Sequence, residues 1–494
     1  MRPHRRPSAR AVVVGVLLAA GGLLAAACGP PPTTGGSSAG APVKATELPP
    51  CPLAALDKHE GKVTVIVWYG ALGGELGTTM QDLVKKFNAS QDKVVVDARN
   101  QGKDYDEVLA KYESAAATSP GSLPGLVYLE DGQLRNLVDS HNVLPAQSCM
   151  KADGYDLGQI VPAVRAYYTV NDVYWPAYAN VSTPVLYYNK AHFQKAGLDP
   201  NDPPQTLQEV EAAAKKLKAA GVSKTPFAIN LDRWYFEVWV NGAGGDLVNN
   251  GNGRDAPATA SVFDNAQAKQ LFTSLQRMKS EGLLQPFSNT PGQINQYLAL
   301  AQQQASMTLG TSAAANTIKA FLKGTLTSAE SAGIDTSADD LAKAQIVPAA
   351  AAFPGLEEPG KVRVSGGAFF ILNKSKPEVQ AASWEFAKFM LKPENAAYWN
   401  LHGGYLPMVK AAVQLPEVQT YWDDDLAGQM SKVAFDQLGA VDVFQPGPLI
   451  GPYTAWSDGV EKMWDSTLLG STPPDKALAN GEKSTTEVLK AYNG

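Results

Sequence analysis

The chain begins its foldable part with three segments that admit few architectures. "KVTVIVWYG" at 62–70 has the β-branched and aromatic density of a buried strand. In the stretch that follows, Leu76, Met80, Leu83, Val84 and Phe87 share one helical face. "KVVVDA" at 93–98 reads as the next strand. Strand, helix and strand with short links form a βαβ unit, which sets two strands parallel and demands helices over the sheet. "GLVYLEDG" at 125–132 reads as a third strand with a polar tip. After residue 165 the alternation restarts. In "NVSTPVLYYNKAHFQKAGL" at 180–198, Val185 to Tyr188 form a strand, and Asn189 caps a helix that ends at Gly197. "LQEVEAAAKKLKAAG" at 207–221 is a clear helix, and "GGAFFILNKSKPEVQAASWEFAKFML" at 366–391 is again strand, turn and helix. A chain of 494 residues accommodates two such α/β lobes, and it carries no fixed-period repeat.

The N-terminus is of another kind. Arg2, Arg5, Arg6 and Arg10 precede an apolar run from Ala11 to Ala27 that closes on "LLAAAC". That is an export signal, residues 1–27, and the run is too short to span a bilayer. Cys28 directly after the small residues resembles the lipobox of bacterial lipoproteins, in which the thiol is acylated. Ala25 departs from it by standing where Leu is usual. Residues 29–50 are Pro, Gly, Ser and Thr with little apolar content, so 28–60 is expected to be an anchor and tether. Loss of the four signal arginines takes the net charge from −6 to −10, which argues against nucleic acid as a partner. Outside the cytoplasm the two remaining cysteines, Cys51 and Cys149, form either a disulfide or two buried thiols.

Reactive motifs are missing. The five histidines show no metal spacing, there is no Walker loop or GxSxG elbow, and "NGAGGDL" at 241–247 lacks dinucleotide spacing. No cofactor is implied. Glu130 and Asp131 are the only pair with a hydrolytic look. Adjacent residues on a strand face opposite ways, whereas glycosidase carboxylates converge across a sugar. A secreted hydrolase and a structural lipoprotein with an inert cleft are the competing classes.

The lipoprotein start, "NVSTPVLYYNKAHFQKAGL" and "SGGAFFILNKSKPEVQAASWEFAKFMLKPENAAYWNLHGGYLPMVKAA" together resemble the extracellular solute-binding proteins of carbohydrate ABC importers, across most of residues 61–465. "GKDYDEV", "STPVLYYNK" and "GGYLP" are similar to the branch that binds glycerol phosphate and glycerophosphodiesters. The resemblance implies two lobes, each a mainly parallel sheet flanked by helices, with the ligand cleft between them. Lobe 1 is expected over 61–164 and 365–415, and lobe 2 over 165–364 and 416–494. It implies a monomeric, non-enzymatic protein held outside the cell membrane. It would capture an oligosaccharide, polyol or glycerophosphodiester and hand it to a permease driven by a cytoplasmic ATPase. Residue by residue, it places Tyr105, Asp131, Ser182, Thr183, Leu231, Trp234, Thr311, Ser312, Gly404 and Tyr405 at the ligand. Trp175 and Trp234 are each either sugar-stacking rings or core. One departure concerns charge. The phosphate-binding branch carries an Arg in the segment matching "FQPGPLIGPYTAW" at 444–456, and none occurs here. Lys103 or a helix N-terminus is then the substitute for a phosphate, and a neutral sugar is the competing ligand.

Overall fold

Strand β1 (Val63–Gly70) lies parallel to β2 (Val94–Gly102) on one side and to β3 (Leu126–Glu130) on the other. The crossover helix Gly74–Ser90 buries Met80, Leu83, Val84 and Phe87, as the periodicity predicts, with Leu76 half-buried at the edge. The computed structural model describes residues 43–290, 294–322, 346–443 and 446–494. The expected signal segment and Cys28 lie outside the described residues, as does the start of "FQPGPLIGPYTAW".

Short strands follow: β4 (Val143–Leu144), the hairpin pair β5 (Thr169–Val170) and β6 (Val173–Tyr174), and β7 (Tyr178–Ala179). The second sheet collects β8 (Pro184–Asn189), β9 (Phe227–Asn230), β10 (Leu284–Phe287), β11 (Met307–Thr311) and β12 (Pro348–Ala352) in the order β10-β9-β11-β8-β12. The chain then returns as β13 (Gly367–Leu372), completing a first sheet of order β2-β1-β3-β13-β4, with β7 also on β13. Asn189 caps the helix Lys190–Lys195 through Ala191 N–H, and Thr206 and Glu209 form a reciprocal capping box on Leu207–Ala219.

The sheets are mixed where mainly parallel ones were expected. β1, β2 and β3 are parallel, but β13 runs antiparallel to β3, β4 and β7. In the second sheet β9 is parallel to β10 and β11, while β8 is antiparallel to β11 and β12. A parallel neighbour needs a crossover connection. β13 and β8 each arrive from the opposite lobe without one, so they run back along their neighbours.

The lobe boundaries also differ from the expected ones. Residues 174–180 belong with the first sheet: Ala146 N–H bonds to Trp175 O, Ala177 N–H to Phe369 O and Asn180 N–H to Gly367 O. The chain therefore crosses after Val181, some way past residue 165. The expected tether is shorter as well. The helix Leu53–Lys58 buries Leu56 and packs on the helix Pro377–Met390, and Cys51 is disulfide-bonded to Cys149.

Candidate functional site

Two crossing strands meet at Ser182 and Ser365, which exchange both backbone hydrogen bonds, at 2.8 and 3.0 Å. Beside them β3 ends in Glu130 and Asp131. Asp131 is buried, and its carboxylate accepts four donors: Arg363 Nη1 (2.6 Å), Tyr167 OH (2.6 Å), Ser365 Oγ (3.1 Å) and Gly366 N–H (3.2 Å). A carboxylate has about four acceptor positions. Asp131 is thus saturated within the fold and organises the hinge. Arg363 continues the chain through Nη2 to Glu237 (2.7 Å), whose other oxygen accepts from Tyr453 OH (2.9 Å). Gly132 admits this junction, since a Cβ there would lie 2.3 Å from the Tyr453 ring.

Three tyrosines form a second cluster. Tyr105 and Tyr128 share a hydrogen bond (3.2 Å), Asn180 Nδ2 donates to Tyr128 OH (2.8 Å), and the Tyr405 ring lies close to both phenols. Burial pushes all three phenols above their ordinary value, and the neighbouring phenols further disfavour ionisation of Tyr105 and Tyr128. Gly404 ends the helix Pro393–Gly403 with φ 75°, a left-handed turn that favours glycine. The turn brings Tyr405 beside the hinge, where Leu406 N–H bonds to Val181 O. Ser182 Oγ makes no hydrogen bond among the described residues, so this hydroxyl is available to a solute. Thr183 differs: its hydroxyl accepts from Gln437 Nε2 (2.7 Å) and is fully buried. It ties the hinge to the helix Leu426–Leu438.

From the second lobe, Thr311 accepts from Ala313 N–H as an ordinary cap, and Ser312 Oγ accepts from Thr183 N–H (3.2 Å). Both hydroxyls already serve local structure. Leu231 is fully buried, with its N–H on Phe287 O. Trp234 is half-buried in the first turn of the helix Arg233–Gly242, stacks on Tyr235 and leaves Nε1 without a partner among the described residues. Trp175 is core, 2% exposed, with Nε1 on Val170 O. Lys103 is exposed and paired with Glu107.

Several groups central to this site were not singled out from the sequence: Arg363, Glu237, Arg233, Tyr128 and Asn180. One signal was present. "KVRVSGG" puts Arg363 between valines in a strand-like run, a position where charge survives only with buried partners.

Arg233 bridges Glu130 and Glu461, each at 3.4 Å, and so joins the two lobes. Burial pushes the Glu130 carboxyl from 4.5 up to about 8; Arg233 opposes this, and Asp131, Asp106 and Asp232 reinforce it. The folded state therefore keeps a proton that the unfolded chain has released. This contribution to stability is present below pH 4.5 and is lost as pH rises through about 8. Urea midpoints at pH 5, 6.5 and 8 are expected to fall in that order, with a flatter trend in Glu130→Gln. An identical trend in the variant would refute the assignment.

Residues 82–425 match the bacterial extracellular solute-binding protein family. Among curated proteins, the sn-glycerol-3-phosphate-binding periplasmic protein UgpB of Escherichia coli K12 is 28% identical over 89% of this chain and 95% of its own. Among solved structures, UgpB of Mycobacterium tuberculosis in complex with glycerophosphocholine superposes with a TM-score of 0.66 at 21% identity, over 87% of this chain and 98% of that one. The GacH receptor of Streptomyces glaucescens, solved unliganded and with acarbose, gives 0.69 at 19%, over 87% and 99%.

Proposed function

Since this chain belongs to the bacterial extracellular solute-binding protein family, we propose that the cleft between its two sheets takes a carbohydrate-class solute. The chain is the substrate-binding component of an ABC importer and not an enzyme: it captures the solute outside the cell and passes it to a membrane permease. The observation that carries the ligand reading is the tyrosine cluster, Tyr105, Tyr128 and Tyr405, set beside the unbonded Ser182 hydroxyl. Phenol hydroxyls donate and accept, and aromatic faces stack on the C–H faces of sugar rings. Trp234, with its unpartnered Nε1, supplies a ring from the other lobe. The ligands of these relatives, glycerol 3-phosphate, glycerophosphocholine and acarbose, are of the same broad class.

A thermal-shift screen of oligosaccharides, polyols and glycerophosphodiesters tests this. At least one is expected to raise the unfolding temperature, and Tyr405→Ala to weaken that solute on the order of tenfold, about 1.4 kcal/mol. No shift with any solute would favour the inert lipoprotein. The protein acts as a monomer anchored by acyl chains on Cys28, for which the lipobox-like "LLAAAC" is the support. Cys28→Ala is expected to release processed protein into the medium; processed protein retained at the membrane would reject the anchor.

A further inference from the structure

Alternation along β1 sends Val65, Val67 and Tyr69 to one face of the sheet, where Tyr69 OH accepts from Gln81 Nε2 of the crossover helix. Trp68 therefore points to the other face, beneath the helix Tyr105–Thr118. That helix buries Val108, Leu109 and Tyr112 and then runs into "SAAATS" at 114–119. Serine, alanine and threonine are too short to cover an indole. Trp68 is left half-buried at the floor of an open hollow of about 470 Å³. Of the nine tryptophans it is the one whose indole N–H is neither bonded among the described residues nor sealed from water. Trp175, Trp239, Trp384, Trp456 and Trp464 each donate to an oxygen of the fold, and the indole nitrogens of Trp234, Trp399 and Trp422 are buried.

The rim of the hollow is polar. The hydroxyls of Ser114 and Ser119 and the Gln101 side-chain amide make no hydrogen bond among the described residues. Thr118 and Ser122 donate to backbone oxygens and keep their acceptor lone pairs. The one cation of the lining, Lys111, is held on Gln101 O, and no carboxylate is part of it. We propose that Trp68 is the floor of a second carbohydrate site, on lobe 1 and apart from the hinge, which holds one ring of a neutral glycan chain. An indole face stacks on the C–H face of a sugar. Hydroxyls and an amide that can donate and accept match the same dual character in sugar hydroxyls. An ionic ligand finds no free countercharge here. The hollow is open, so a chain can enter and leave on either side of the bound ring. None of the residues placed at the hinge lines it, so the inference does not depend on what the hinge binds.

The experiment is fluorine NMR on the full mature chain carrying fluorotryptophan, titrated with maltohexaose, cellohexaose and chitohexaose, with the Trp68 signal assigned from Trp68→Phe. At least one hexasaccharide is expected to move that signal, and to do so equally in Tyr405→Ala, where the hinge is impaired. Ser114→Arg, which places a long side chain over the indole from the exposed side of the helix, is expected to weaken the response by roughly tenfold at an unchanged unfolding temperature. Ser119→Arg repeats the test from the loop beyond that helix. A Trp68 signal unmoved by all three sugars would overturn the inference, as would a full response in both Ser114→Arg and Ser119→Arg. A response lost in Tyr405→Ala would also overturn it, because the sugar would then be acting from the hinge.

Discussion

Replacing Arg363 by Met is expected to destabilise the protein by about 3–5 kcal/mol, the usual result of removing one partner from a buried ion pair. The substitution strands Asp131 and Glu237 together, both essentially inaccessible to water, with no cation between them. Tyr167 and Tyr453 would remain as neutral donors and cannot offset that charge. The same reasoning gives a diagnostic rescue. Arg363→Met combined with Asp131→Asn and Glu237→Gln removes the stranded charges, so a substantial part of the loss is expected to return. Urea denaturation of the single and triple variants measures both. A triple variant no more stable than the single one would show that packing, and not charge, governs this junction.

Opening the disulfide should have an effect of similar size. Cys51 and Cys149 are separated by 98 positions, and closing a loop of about 100 residues is worth roughly 4.7 kcal/mol in the chain-entropy treatment. The bridge ties the start of this segment to the helix Ala146–Asp153, while the helix Leu53–Lys58 itself packs on the helix Pro377–Met390. Cys149→Ala, and wild type under reductant, are expected to lose about 2–5 kcal/mol to the same extent. A reduced wild type as stable as the oxidised one would contradict the assignment.

The parts of this fold that depend on local periodicity were legible in the sequence. The β1–helix–β2 unit, the Asn189 cap and the helix from Leu207 follow from apolar spacing and capping residues, which act within a turn or two of chain. The mixed sheets were not legible, because nothing local to "GGAFFIL" says that β13 arrives from the far lobe. The site divides in the same way. Tyr105, Ser182, Gly404 and Tyr405 lie in motifs carried by resemblance, and they converge on the hinge. Thr183 and Ser312 look alike in sequence to a ligand hydroxyl, but the Thr183 hydroxyl accepts from Gln437 Nε2 and the Ser312 hydroxyl accepts from Thr183 N–H. Asp131 is held in the same way. Its neutralising partner, Arg363, lies more than two hundred residues away, and a sequence does not advertise such pairings.

The central claim, that a solute is held between the two sheets, is tested most directly by a crystal structure of the protein grown with its tightest solute from the screen. The account predicts that solute enclosed at the hinge, with a hydroxyl on Ser182 Oγ, its carbon face on Tyr405 or Trp234, and Asp131 still bonded to Arg363. Density on the outer surface of either lobe, with the hinge tyrosines unchanged and untouched, would contradict it.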